Sequence, residues 1–140
     1  MPVVDLKPAD LGQSGWNEIL PRRKPRAALE QDIECDYLVV GAGFAGLAAA
    51  RRLRQLEADA SIVVLEAREV AAGPAGRNSG FMIDLPHALT SGGYAGDRSS
   101  DLRNIAMNRA AIDFAAEAAR EYGFAAEAFD PCGKINAAAG

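Results

Sequence analysis

The stretch that decides the fold is residues 36–66, DYLVVGAGFAGLAAARRLRQLEADASIVVLE. It opens with Tyr37-Leu38-Val39-Val40, a short apolar run halted by glycine, the pattern of a parallel strand buried on both faces. Residues 41–58, GAGFAGLAAARRLRQLEA, then place Leu47, Ala50, Leu53 and Leu56 at three- and four-residue steps, with Arg51, Arg52, Arg54 and Gln55 opposite. That spacing predicts an amphipathic helix with one face on a sheet. Ser61-Ile62-Val63-Val64-Leu65-Glu66 reads as a second buried strand. Strand, glycine turn, helix and strand in about thirty residues have the length of one βαβ unit. Such a crossover makes its two strands parallel and is nearly always right-handed. The fold class expected is therefore α/β, built on a Rossmann-like βαβ unit.

Within this unit lies Gly41-x-Gly43-x-x-Gly46, followed by a carboxylate, Glu66, at the end of the second strand. A glycine triplet alone is a weak signal; between a strand and a helix it gains a physical reason. Gly41 permits the sharp turn, Gly43 lets backbone approach a pyrophosphate, and Gly46 allows close helix–strand packing. A helix N-terminus offers N–H groups and partial positive charge to phosphates. Phe44 and Ala45 lie in that first turn. Glu66 is placed to accept hydrogen bonds from the adenosine ribose hydroxyls, and its charge disfavours a 2′-phosphate. The bland alternative is a structural glycine turn in an α/β domain. The motif by itself does not separate FAD from NAD.

The next segment, AREVAAGPAGRNSGF at residues 67–81, is richer in glycine than in apolar residues. Together with residues 36–66 it resembles the D-amino-acid oxidase superfamily, which includes glycine oxidase, sarcosine oxidase and related FAD-dependent amine oxidoreductases. The resemblance extends over residues 14–137, and Gly76-Arg77-Asn78-Ser79-Gly80 is its most specific part. It implies FAD as cofactor and adds Ala67, Arg68, Gly73, Gly76, Arg77, Asn78, Ser79 and Gly80 to the cofactor-binding candidates. The second loop would run beneath the flavin, where small residues are needed for backbone to pass a flat ring. Arg77 and Asn78 would stabilise negative charge near the cofactor, or Arg77 is simply a surface residue of a mobile loop. Some relatives carry a histidine about where Arg77 stands and link it covalently to FAD; none is present here, so FAD is expected to be held non-covalently. The implied reaction moves a hydride from the carbon bearing the amine to the flavin, and the imine product then hydrolyses. The substrate is accordingly expected to be a small-molecule amine or amino acid.

Two alternatives stand beside this reading. An NAD-dependent dehydrogenase domain accounts for Gly41, Gly43, Gly46 and Glu66 but not for residues 76–80. A non-catalytic interaction subunit keeping a nucleotide fold would explain the absence of a substrate domain. No residue is assigned a catalytic role. His87, the single histidine, stands without a carboxylate pair or nucleophile and reads as a loop or packing residue. No metal-ligand spacing occurs.

Outward from this centre, residues 1–33 hold four prolines and no clear period. They read as an extended arm with a short helical turn near residues 16–20, anchored by burial of the Trp16 ring. Residues 34–140 read as the N-terminal part of an FAD-binding domain. Arg22-Arg23-Lys24 and Arg26 read as a solvated basic run. Residues 70–98 form a long loop that is either functional or held from outside itself. Ser99-Ser100-Asp101 offers an N-cap for a helix ending near Gly123, with Leu102, Ile105, Ala106, Ile112, Ala116 and Ala119 as its buried stripe. Residues 130–133 suggest a turn, and residues 134–137 the start of a strand.

The net charge of −4 argues against a nucleic-acid partner. No apolar run approaches a membrane span, and no signal peptide is recognisable, so a cytoplasmic protein is expected. Cys35 and Cys132, far apart and outside any CxxC, are expected to be free thiols. Alanine supplies 29 of the hydrophobic positions, so large apolar side chains are sparser than the 49% hydrophobic content implies. A thin core and a strand beginning near the last residues lead to the expectation of a complementary polypeptide that completes the FAD and substrate domains.

Overall fold

The computed structural model describes residues 12–24, 26–85 and 98–133. His87, the glycines at 92, 93 and 96, and the strand expected at residues 134–137 lie outside the described residues. The chain is a mixed α/β structure that separates into two compact units, Met1–Ser79 and Gly80–Gly140.

In the first unit, helix α1 (Gly15–Ile19) is followed by strand β1 (Tyr37–Val40), helix α2 (Phe44–Leu56), strand β2 (Ile62–Leu65) and a single 3-10 turn (Pro74–Gly76). The two strands pair in parallel, with Tyr37 opposite Ile62 and Val40 opposite Leu65, as the apolar runs predict. Their register is fixed by a latch that side-chain periodicity does not reveal. Ser61 donates its backbone N–H and its Oγ hydroxyl to Asp36 Oδ2 at 2.8 and 2.7 Å, while Asp36 N–H donates to Ser61 Oγ at 2.9 Å. These bonds hold the Asp36 carboxyl below the usual carboxylate range, the backbone N–H of Ser61 acting most strongly.

The burial expected of β1 is not observed. Leu38 and Val40 are 55% and 79% exposed, and only Val39 is half-buried. Alternate residues of a strand point to opposite faces. Val39 turns toward α2, whereas Leu38 and Val40 share the other face. On that side Leu29 and Ile33 of the arm, with Cys35, line a shallow groove with Leu38 and Leu65. An apolar strand is buried on both faces only when layers cover both. Here one helix covers one. On α2 the half-buried positions include Gly46, Ala50 and Leu53, while Leu47 and Leu56 of the expected apolar stripe are exposed.

The second unit contains helix α3 (Arg98–Glu121) and a 3-10 turn (Ala126–Ala128). The helix begins before the expected Ser99–Asp101 cap, so these residues are its first turn. Its half-buried stripe includes Ile105, Ile112, Ala116 and Ala119, as the spacing predicts. Leu102 and Ala106 are exposed instead, and Asn108 takes a place in the stripe by donating to the Asp84 carbonyl at 3.0 Å. Arg109 pairs with the Asp84 carboxylate at 3.0 Å. The helix ends as expected near Gly123, whose φ of +63° reverses the chain. Phe124 N–H then donates to Ala119 O at 2.9 Å and Gly123 N–H to Arg120 O at 3.3 Å, the two bonds of a Schellman cap. Residues 130–133 carry no regular structure, with Gly133 at φ +75°.

Candidate dinucleotide site

The first glycine loop is built by the β1–α2 junction. Gly41 continues the ladder by donating its N–H to Leu65 O at 2.7 Å, and its φ of +101° turns the chain away from the sheet. A side chain is strained in that region, so glycine is required by conformation. Gly46 is required by space: a Cβ there would collide with the Gly41 carbonyl and lie 3.3 Å from Val39 Cγ1. Gly43 differs from both. It stands at the N-cap of α2 with extended backbone, and a Cβ there would enter open space. The helix start has no side-chain cap and no acidic residue in its first turn. Phe44 and Ala45, which open the helix, are exposed.

Glu66 ties the end of β2 to this same turn. Its Oε2 accepts the N–H of Ala42 at 2.8 Å, and Oε1 accepts that of Arg68 at 3.2 Å. Ala42 is 2% exposed, so its N–H has no access to bulk water and the carboxylate satisfies it. A carboxylate has about four lone-pair sites, which leaves capacity beside these two bonds. Glu66, Ala67 and Arg68 are exposed at the strand end. Open space before an uncapped, acid-free helix start, next to an exposed carboxylate, suits a pyrophosphate with an adjoining ribose.

The second loop lies in the same unit as far as Ser79. Its 3-10 turn starts from Gly73, and Gly76 and Arg77 donate their N–H groups to Gly73 O and Pro74 O at 3.1 and 3.0 Å. Asn78 Nδ2 donates to Ala75 O at 2.6 Å. Ala71 holds a φ of +64°, unusual for a residue with a side chain. Gly76 is buried: a Cβ there would collide with the Ala71 carbonyl and lie 2.7 Å from Ser14 Oγ of the arm. Arg77 directs its guanidinium onto backbone carbonyls, with Gly12 O at 2.6 Å, Ala72 O at 3.3 Å and Gln13 O at 3.4 Å. Ser79 is exposed, and Gly80, at φ +81°, begins the second unit.

Trp16 is 43% exposed rather than buried as expected, and its indole N–H donates to Asn78 O at 2.7 Å. Arg23 is exposed, as a solvated run implies, and donates to Val70 O at 2.9 Å and to Asn17 Oδ1 at 3.2 Å. Sequence reading also passed over Ser14, which is 2% exposed and caps α1 by accepting Asn17 N–H at 3.3 Å. The signal was present as a capping-type residue just before the expected turn. Cys35 and Cys132 are free thiols. Among the described residues no cluster could hold a metal, and no helix is long and apolar enough to cross a membrane.

The strand, glycine turn, helix and parallel strand, with a carboxylate at the second strand end, make this a mixed α/β protein. Comparison with known proteins narrows the class. The family described as FAD dependent oxidoreductase (DAO) matches residues 36–140, and the chain belongs to that family. Its cofactor is FAD, which decides between the flavin and nicotinamide readings. The match starts at residue 36, so residues 14–35 of the expected resemblance lie outside it. The gamma-glutamylputrescine oxidoreductase of Escherichia coli (strain K12) is 42% identical over 60 residues, a stretch covering 43% of this chain and 14% of that protein. No solved structure matches the chain.

Proposed function

We propose that this chain supplies the ADP-gripping and flavin-facing loops of an enzyme that oxidises an amine or amino acid. The observation that carries the assignment is the open, uncapped start of α2 at Gly43, beside a Glu66 carboxylate joined to the same turn. In this reading Gly41, Gly43, Phe44, Ala45 and Gly46 form the pyrophosphate cradle, and Glu66 accepts the ribose hydroxyls. Ala67, Arg68, Gly73, Gly76, Arg77, Asn78, Ser79 and Gly80 belong to the segments that carry the chain past the rest of the cofactor. Bound FAD supplies the hydride acceptor; the protein orients it and excludes competing reactions. The named relative acts on gamma-glutamylputrescine, which makes an amine the substrate class to test first.

The reading includes a complement, a further polypeptide or segment that completes a Rossmann-type sheet and brings the substrate domain. It is supported by the bare face of β1, where Leu38 and Val40 stand exposed. An apolar strand face left exposed is one that a further layer would cover. We place the assembled enzyme in the cytoplasm.

The test is to titrate the protein with FAD and to mix the natively purified, flavin-loaded assembly of this chain with its complement anaerobically with amines and amino acids, gamma-glutamyl amines among them. Saturable binding that Gly43→Val abolishes, with amine-dependent bleaching of the flavin band, is the expected result. Equal FAD affinity in wild type and Gly43→Val would sink the site assignment. A monodisperse, active species containing this chain alone would refute the complement.

A further inference from the structure

Residues 70–79 contain one 3-10 turn and no strand, yet their backbone is gripped at both ends by the arm. Arg23 donates to Val70 O at 2.9 Å at one end, and Trp16 Nε1 to Asn78 O at 2.7 Å at the other. Between them Arg77 reaches back to Gly12 O at 2.6 Å, and Ser14 Oγ lies 2.7 Å from where a Cβ at residue 76 would stand, next to the Ala71 carbonyl that would meet it first. The partners are 47 to 65 residues apart in sequence, so none of these contacts is local. An arm that merely covered apolar surface would bury the Trp16 ring. Trp16 is 43% exposed, and its indole N–H makes the hydrogen bond to the loop. Ala71, held at φ +64°, is a conformation that only surrounding structure enforces.

We infer that residues 12–23 are a clasp that sets the conformation of the flavin-facing loop, with Trp16, Arg23 and Arg77 as positioning residues for FAD. The inference rests on the site assignment of the preceding section. A loop without its own ladder loses conformational freedom on binding a cofactor; a clasp removes that freedom beforehand, and binding tightens. The clasp acts on the second loop, whereas the ADP half meets Gly41, Gly43, Gly46 and Glu66. Loss of the clasp therefore weakens FAD and spares ADP.

The variants are Trp16→Phe, which keeps the ring and removes the N–H, Arg77→Lys, which keeps the charge and removes the fork, and the two combined. Amide hydrogen exchange of the FAD-free protein reads the clasp directly. Exchange at residues 70–79 should rise about ten-fold in the double variant, the equilibrium equivalent of a lost charge-assisted hydrogen bond, with β1, α2 and β2 unchanged. The FAD dissociation constant should rise by a similar factor of about ten while that of ADP stays the same. General misfolding would move both ligands together. Unchanged exchange at residues 70–79, unchanged FAD affinity, or equal losses of ADP and FAD would each overturn the clasp. Failure of the site assignment looks different: Gly43→Val would then leave both ligands bound, while the exchange measurement still judges the clasp.

Discussion

Gly46→Ala is the sharpest test of how the glycine loop is built, because two effects of opposite sign compete. In an open helix the change would stabilise, since glycine costs about 1 kcal/mol relative to alanine. At residue 46 the new Cβ would meet the Gly41 carbonyl, with Gly41 C at 3.1 Å and Val39 Cγ1 at 3.3 Å. The first obstacle is backbone, which cannot swing aside as a side-chain tip can. Overpacking typically costs about 1–3 kcal/mol, and a backbone collision belongs at the upper end. The collision wins, for a net loss of about 1–2 kcal/mol. Relief requires the Gly41 carbonyl to move, and Gly41 N–H is bonded to Leu65 O at 2.7 Å in the same turn. The proposed pyrophosphate cradle shifts with it, so FAD affinity should fall by about ten-fold or more. Urea unfolding and FAD titration, each beside wild type, read the two quantities. A variant as stable as wild type, with the same FAD dissociation constant, would show that α2 does not pack on the turn as described.

Three further outcomes follow from named contacts. Asp36 has a carboxyl pKa lowered from 3.8 by its bonds to Ser61, so the stability it contributes is present above pH 3.8 and lost as pH falls below it. Asp36→Asn should flatten that acid limb in urea midpoints between about pH 2 and pH 6; an unaltered limb would mean the latch does not govern it. Glu66→Ala removes the proposed ribose acceptor and leaves the buried Ala42 N–H without its carboxylate, and should weaken FAD by about 1.5–3 kcal/mol in titration. Acid precipitation should release the flavin to the supernatant, since no histidine stands at residues 76–80; colour retained by the polypeptide would contradict non-covalent binding.

What the sequence determined by itself is the βαβ unit and its first loop. Glycine spacing, the three- and four-residue period and the apolar runs are local properties. Each acts within a few residues, so strand, turn, helix and parallel pairing are legible from the chain alone. The helix stop at Gly123 is legible for the same reason. What only the tertiary structure decided is which faces are covered and what holds the second loop. The valines and leucines of β1 encode apolarity, but whether both faces are buried depends on layers contributed by distant residues. Leu38 and Val40 are exposed because α2 covers only the side of Val39. Arg77, Trp16 and Arg23 are directed onto backbone carbonyls, which every residue carries and no motif marks. Such contacts across 47 or more residues leave no period in the sequence. Only the folded chain brings them together.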